Sequence, residues 1–561
     1  MGDNFALGHR RLSIIDLSVE ANQPMSSGTN QLIFNGEIYN YIEIRCELLA
    51  LGYNFTTSSD TEVILKAYEE WGEECVVRFN GMWAFVLYDA KKEILFCSRD
   101  RFGIKPFYLL GTNERFIIGS EIKQLLPYLS ERKANIDLVL DFLILGLEEH
   151  TSSTFFQGIE KLPPSTNLIY NLKTNEVNSY VYHTYIPTSN NLNEIQATSF
   201  VKDLFETSVR IRMRSDVKVG TCLSGGLDSS IVAALSAQLN FRDTDISFYA
   251  IHAKSSESDS DESSYAKLVS EETNIDLTII EPKVEDFLNA IEKVVKIQEE
   301  PFGGPSVLFQ YFVFKQAQRD KCPVILDGQG GDELFLGYER YYFAIMNNMG
   351  FLEKVSFLRE ISKKSRHGFL KNVLYYLYFN FLTLRKIFIF RRLFFVKKEH
   401  IEKYDFSKSM KKILFSEGIK ELQLSELYAY QLPHLLKYED KNSMSCSIES
   451  RLPFLDFDLV KGVLDSDPNL MIKDGWSKYL LRKCFDGLLP DSIIWRKNKR
   501  GFEAPESTWL KDRDFFEKEI KESKFIKNLI DVEKINKSID NRTFWRIYSL
   551  AIWSRLLKVN F

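Results

Sequence analysis

The sequence lacks the residue patterns that staple or metallate a fold. Its seven cysteines (Cys46, Cys75, Cys97, Cys222, Cys322, Cys446 and Cys484) are odd in number, and no two lie within four positions of each other. That scatter argues against a disulfide framework and against a Cys-based zinc site. The seven histidines form no His-Glu-x-x-His pair. Excess positive charge is missing too. Lys+Arg at 72 against Asp+Glu at 77 gives a net charge of −5, unlike a protein that wraps nucleic acid, so no nucleic-acid partner is expected.

Long hydrophobic runs are also missing. Phe369–Val396 is the most apolar stretch, but Lys371, Arg385, Lys386, Arg391 and Arg392 cut it into runs short of the ~20 residues a spanning helix needs. A pair of buried or amphipathic helices is expected there, in preference to membrane contact, and no membrane span. Met1-Gly2-Asp3-Asn4-Phe5 has no basic start leading into an apolar stretch, so it does not read as a secretory signal. The expected compartment is the reducing cytoplasm.

What is present is ample core-forming material. The 561 residues are 45% apolar and 14% aromatic, which excludes disorder as the dominant state. At ~150 residues per domain the length suggests two to four domains.

Residues 1 to about 180 read as strands and turns with one or two helices. Gln31–Phe34 runs into Asn35-Gly36-Glu37, a turn signal, and Tyr39–Leu51 is helical up to Gly52. Trp83–Tyr88 and Ile94–Cys97 read as a hairpin, and Arg115–Gly119 as another strand. The polar, proline-containing stretch at 186–198 is the expected linker. Strands and helices then alternate: Val219–Leu223, Asp245–Ile251, Asp276–Ile280 and Pro323–Leu326 as strands, with Ser229–Leu239, Glu262–Glu272 and Val307–Arg319 as helices. This order implies a parallel sheet with helices on both faces. Beyond about 340 the pattern is mostly helical.

The strongest local motif is Leu223-Ser224-Gly225-Gly226-Leu227-Asp228-Ser229-Ser230, at the junction of a buried strand and a helix. The glycines let the backbone approach an anion, and the helix offers its positive end. Asp228 would repel a bare anion, so its presence fits a Mg²⁺ ion between carboxylate and phosphate. The Lys of the kinase-type phosphate loop is missing. The rival reading is a Gly-Gly turn with a Ser/Asp helix cap.

These residues resemble the pyrophosphate loop of the ATP pyrophosphatases. The narrower resemblance, over essentially the whole chain, is to the glutamine-dependent asparagine synthetase family. It is carried by Arg11–Asp16, Phe34–Asn40, Ser59–Glu62, Arg99–Pro106, Gly119–Lys123, Asp327–Glu333 and Glu449–Asp456. The resemblance implies an N-terminal-nucleophile-type glutaminase domain (an αββα sandwich, residues 1–185, incomplete at its start). An ATP-pyrophosphatase α/β domain with a parallel sheet and a helical C-terminal part would follow at 199–561. Its implied substrates are ATP, aspartate, and glutamine or ammonia, with Mg²⁺ as cofactor; a homodimer stays open. Adenylation of a carboxylate makes a leaving group where oxide would be none, and ammonia then displaces AMP.

Carried over by position, Ser224, Gly225, Gly226, Asp228, Ser229 and Ser230 would hold pyrophosphate, with Asp228 and Asp332 sharing Mg²⁺. Leu223 and Ile251 would border adenine, and Asp327 and Gly328 would approach the nucleotide. Lys478 would stabilise charge on the reacting phosphate, although a lone helical Lys usually faces solvent. Arg451 is open between a similar role and a structural ion pair. In the first domain Arg11 would hold the α-carboxylate of glutamine, and Glu37 and Asp60 its α-amino group. Asn35 and Gly36 would form an oxyanion hole.

Two departures from the family stand out. Its members begin Met-Cys-Gly, the Cys acting as nucleophile, whereas this sequence begins Met1-Gly2-Asp3 and its first match normally lies tens of residues into the domain. The opening strands and the nucleophile are thus expected to be missing, either because the start is wrong or truncated or because the chain uses free ammonia. Residues 1–561 are expected to release no glutamate from glutamine, and Cys46 is expected to be a small buried residue rather than a substitute. Gln329 stands where asparagine-forming members usually carry Glu, and a neutral amide is no base near neutral pH. The acceptor could accordingly be another carboxylate such as a sugar acid. A non-catalytic sensor, or a nucleic-acid-modifying pyrophosphatase, would be further alternatives.

Overall fold

The central strand of the first half, Gly81–Asp89, is buried on both faces, and its two-residue period splits its side chains between two cores. Trp83, Phe85 and Leu87 join Leu32, Phe34 and Phe96 beneath helices Tyr41–Ala50 and Asp60–Trp71. Ala84 and Val86 join Leu95, Cys97, Phe107 and Leu168 on the opposite face. The computed structural model describes residues 5–561 apart from 113, 187, 244–246, 365–366, 407–417, 498–500 and 536–538.

Around this strand lies a six-stranded antiparallel sheet in the order Met25–Ser27, Asn30–Ile38, Gly81–Asp89, Ile94–Arg99, Thr166–Asn171, Val177–Val181. A three-stranded sheet, Phe116–Gly119, Tyr108–Gly111, Ile159–Lys161, packs on it. Tyr108, Leu110 and Ile159 of that sheet share a core with Leu138, Val139 and Phe142 of helix Ile136–Leu145. The layers run helix, sheet, sheet, helix, as the resemblance implies. The expected hairpin is present, closed by Asp89, whose carboxylate accepts the Lys91 and Lys92 N–H groups at 2.9 and 3.1 Å.

Three expectations for this half need correction. Asn35-Gly36 is not a turn: strand Asn30–Ile38 runs straight through it, pairing Gly36 with Trp83. Gly36 has φ +149°, and a Cβ there would lie 2.1 Å from the Met82 carbonyl oxygen, so the glycine permits close strand approach. Three helices of ten or more residues replace the one or two expected. Cys46 is exposed, not buried.

The second half is built on a five-stranded, fully parallel sheet in the order Asp276–Ile280, Tyr249–Ala253, Val219–Cys222, Val324–Leu326, Glu449–Arg451. Helices Leu227–Asp243, Ser263–Thr273 and Ser306–Arg319 form the expected connections. The second strand begins at Tyr249, later than expected, and 244–246 lie outside the described residues. The fifth strand has no counterpart in the sequence reading. Its three residues are polar yet buried, each satisfied by a partner: Ser450 Oγ donates to Glu439 Oε1 at 2.6 Å and Arg451 Nε to Glu449 Oε1 at 2.7 Å.

Helix Glu194–Arg212 starts inside 186–198, under a capping box made by Asn193 and Gln196. Asp465 holds the preceding polar stretch through Tyr185 OH at 2.7 Å and Thr188 N–H at 3.1 Å. The apolar stretch near 380 forms the expected pair of helices, Phe369–Asn380 and Leu382–Arg392, bent by 96°. Of the two forms expected, buried or amphipathic, the buried one is not met: within the two helices only Asn372 is fully buried. Among the described residues no single helix is long and apolar enough to cross a membrane.

Candidate active site

Strand Val219–Cys222 hands over to Leu223, which is buried and donates its N–H to Ile251 O at 2.9 Å. The chain then turns at Gly225, φ +83°, where a Cβ would meet Glu262 O at 2.9 Å. Helix Leu227–Asp243 follows directly, so its positive end opens beside the turn. The loop is ordered by its own hydroxyls. Ser224 Oγ and Ser229 Oγ are 2.7 Å apart, and Ser224 Oγ accepts the Gly226 N–H at 3.2 Å. Ser230 Oγ and His252 Nε2, both buried, have no hydrogen-bond partner within the protein. Polar atoms buried this way are costly unless a ligand or water meets them.

Asp228, Asp332 and Lys478 come together in front of this loop. Lys478 Nζ lies 2.5 Å from Asp228 Oδ2 and 2.7 Å from Asp332 Oδ1, and the lysine is 1% exposed. A solvent-facing lysine is thereby ruled out. Gly328 and Gly331 bring the Asp327–Asp332 turn against the loop. A Cβ at Gly328 would lie 2.9 Å from Ser229 N, and one at Gly331 would lie 2.8 Å from Asp228 Cγ. At Gly337 a Cβ would fall 2.0 Å from Asp332 Oδ1 and 2.2 Å from Lys478 Cε. Gln329 sits on this turn, partly buried between Gly328 and Gly330.

Two carboxylates and one ammonium leave a net negative charge, suited to a hard divalent cation whose other ligands are phosphate oxygens and water. Among the described residues no group of three or more His, Cys, Asp or Glu side chains could by itself hold a metal ion. The two carboxylates fit a Mg²⁺ ion whose remaining ligands come from a nucleotide's phosphates and water.

Beneath the turn, Asp327 donates its N–H to Arg451 O at 2.9 Å and accepts the Gly328 N–H at 2.6 Å. Burial raises the Asp327 carboxyl above the ordinary value. Glu439 is raised well above the carboxylate range, by burial first and then by the charge of Asp327. Neither Glu439 nor Arg496 was legible as a site residue. Arg496 pairs with Glu262 at 2.6 Å and donates to Gly225 O at 3.3 Å, holding the turn. Its one sequence signal is the basic run Arg496-Lys497-Asn498-Lys499-Arg500, of which 498–500 lie outside the described residues.

Arg11, Asn35, Gly36, Glu37 and Asp60 line a second cleft, joined by Lys105, Met444 and Glu449. Arg11 faces its own loop, donating to Ile15 O at 2.8 Å and Ser18 O at 3.0 Å. Asn35 Nδ2 reaches Ser120 Oγ at 3.5 Å. Glu37 is buried, with Oε2 3.3 Å from Arg451 Nη2, while Oε1 has no hydrogen-bond partner. Burial, then the charge of Asp60, pushes the Glu37 carboxyl well above its ordinary value. Asp60, which accepts the Ile38 N–H at 3.0 Å, is pushed up to about 6 chiefly by burial. A cationic amino group entering here would relieve both acids.

Arg451 joins the clusters. It is fully buried, pairs with Glu37 and with Glu449 at 2.7 Å, and offers its carbonyl to Asp327. Of the two readings open for it, the structural ion pair is the one observed.

Comparison with known proteins finds two family profiles along the chain. The family profile described as "Asparagine synthase" matches residues 201–558, and that described as "Glutamine amidotransferase domain" matches residues 1–182. "Asparagine synthetase [glutamine-hydrolyzing] 1" of Bacillus subtilis is 30% identical over 583 residues, covering 98% of this chain and 89% of the relative. "Putative asparagine synthetase [glutamine-hydrolyzing] 2" of Methanocaldococcus jannaschii is 37% identical over 384 residues, covering 64% of this chain and 72% of the relative. "Amidase chry2" of Gibberella zeae is 25% identical over 558 residues, covering 90% of this chain and 81% of the relative.

Proposed function

The chain belongs to the asparagine synthase family, and on that premise we propose that it is an ATP-dependent amide-forming ligase with aspartate as its acceptor. The observation that carries this reading is Lys478 Nζ bridging Asp228 and Asp332 in front of the Ser224–Ser230 loop. It supports a site in which phosphate oxygens displace the lysine from its carboxylates and the ammonium then faces the charge that builds during transfer. An acceptor carboxylate oxygen attacks the α-phosphorus of ATP, the bond to the β-phosphate bridging oxygen breaks, and pyrophosphate leaves with that electron pair. Ammonia next attacks the acyl carbon, AMP departs, and one proton is lost from nitrogen.

Asp228 and Asp332 would hold Mg²⁺, which when bound neutralises the pyrophosphate oxygens. The Ser224, Ser229 and Ser230 hydroxyls would position those oxygens. Leu223 and Ile251 would border the adenine, and Asp327 and Gly328 would approach the nucleotide. In the second cleft, Glu37 and Asp60 would bind the amino group of glutamine, with Arg11 at its carboxylate and Asn35 and Gly36 at the oxyanion. We place the domains at 1–185 and 199–561, and the reaction in the cytoplasm, where ATP is supplied.

A second reading keeps the chemistry and changes the acceptor. Gln329 favours it, because an amide cannot take the proton of the attacking ammonia, and the likeness to a protein named an amidase is in keeping with it. Pyrophosphate release measured with ATP, Mg²⁺ and ammonium against a panel of carboxylic acids separates the two. Release dependent on aspartate, with asparagine as product, is expected; release with a sugar acid alone would transfer the assignment to that acceptor. Silence with every acid, together with no ATP binding, would remove the catalytic reading.

A further inference from the structure

The helices Phe369–Asn380 and Leu382–Arg392 turn apolar side chains toward solvent. Leu370, Leu374, Phe381, Ile387 and Phe388 are 78, 65, 52, 47 and 52% exposed. Leu370 and Leu374 are one helical turn apart, as are Leu384 and Phe388, so each helix presents a stripe. Looseness does not explain the exposure, since the opposite side is docked. Phe379 stacks on Phe343 at 5.6 Å, and Asn372 donates to Ser362 Oγ at 2.9 Å and to His367 O at 3.1 Å.

Charge identifies what covers such a face. Lys371, Arg385, Lys386, Arg391 and Arg392 fall between residues 369 and 396, which contain no Asp or Glu, and Lys397 and Lys398 follow. A second copy of the chain would set the exposed Lys371, Lys386 and Arg391 against their like. An anionic bilayer supplies both an apolar interior and a negative surface. At 12 and 11 residues, with a 96° bend between them, the helices lie in an interface rather than cross it.

A cavity of about 170 Å³ at the foot of the second helix adds an anion site, with Arg385, Arg392, Arg546, Tyr378 and Thr543 in its wall. Arg385 Nε and Nη1 are buried there without a hydrogen-bond partner. Arg546 Nη1 is engaged by the Phe142 and Leu143 carbonyls, each at 3.2 Å, and Asp540 lies within the field of Arg392 and Arg546.

We propose that the bent helix pair at 369–396 seats this protein on an anionic lipid bilayer, with a lipid phosphate received by the Arg385–Arg392–Arg546 cavity. The proposal is independent of the catalytic reading. It is tested by flotation of the full chain with phosphatidylcholine vesicles with and without phosphatidylglycerol. Binding to the anionic vesicles at least about tenfold tighter than to neutral ones, weakened by salt, is expected. The surface variant Leu374→Asp/Phe388→Asp should abolish it while ATP binding is unchanged, and Arg385→Ala/Arg392→Ala should weaken it. Failure of the parent chain to float with anionic vesicles overturns the proposal. So does a Leu374→Asp/Phe388→Asp variant that floats normally but changes from dimer to monomer, which would assign the face to a second copy. Inorganic phosphate binding in the cavity with no effect of Arg385→Ala/Arg392→Ala on flotation would assign the arginines to a free anion and overturn the lipid-phosphate role.

Discussion

The guanidinium of Arg451 stands 3.3 Å from Glu37, linking an acid from the first antiparallel sheet to the last strand of the parallel one. The same residue accepts the Asp327 N–H, so one side chain and its own backbone touch both clefts. Arg451→Met leaves Glu37 and Glu449 buried without their counter-charge. A loss of about 3–5 kcal/mol is expected, the range for removing one partner of a buried pair. Denaturant unfolding reads it; a loss under about 1 kcal/mol would show that the pair is relieved by water.

Lys478→Met removes the cation between Asp228 and Asp332. The expected result is a fall in pyrophosphate release of about 10²–10³-fold, the size seen when one preorganised electrostatic contact to a transition state is deleted. Lys478→Arg should not restore it, since the longer planar fork cannot bridge the carboxylates beside Gly337. Recovery with arginine would show that charge alone suffices.

Gly337→Ala tests packing at the same spot. The new methyl group would overlap Asp332 Oδ1 and Lys478 Cε, so both must move. Activity should fall at least about tenfold, because displacement of about 1 Å in a catalytic constellation can cost as much as 10²-fold. Wild-type turnover in this variant would show that the lysine is not held in its working position.

Glu333 supplies a pH signature. Burial, followed by the charge of Asp332, raises its carboxyl to about 7, and it accepts the Tyr338 hydroxyl at 2.6 Å. A folded-state value above the unfolded one means the native protein holds the extra proton. Its contribution is full below the unfolded value near 4.5 and lost as pH rises through about 7. Glu333→Gln should therefore flatten the decline in stability between these pH values by up to ~3 kcal/mol. Melting curves of both proteins across that interval check it, and parallel curves would refute it.

The parallel sheet and its loop were legible because Val219–Leu223, the glycines and the following helix follow local rules of burial, turn and cap. Strand Glu449–Arg451 was not, since its polar residues are buried through ion pairs and hydrogen bonds, the Arg451–Glu37 pair among them reaching far along the chain. Asn35-Gly36 misled as a turn, because strand pairing with Ala84 and Trp83 outweighs the preference of an isolated dipeptide. Glu439 and Arg496 were silent for the same reason as the strand: their roles are defined by neighbours far along the chain. Composition predicted two helices at 369–396 correctly, but periodicity alone does not say which side meets the core.

The Lys478–Asp228 contact joins residues 250 positions apart in the chain. At the ~5–20 residues per second of translation, roughly 10–50 s separate the emergence of the two partners. A nascent chain therefore carries the serine-glycine turn and both acids long before their counterion exists. Assembly of this pocket accordingly waits for Lys478 to emerge, and shortened polypeptides ending before residue 478 should carry the two acids without the ammonium that bridges them.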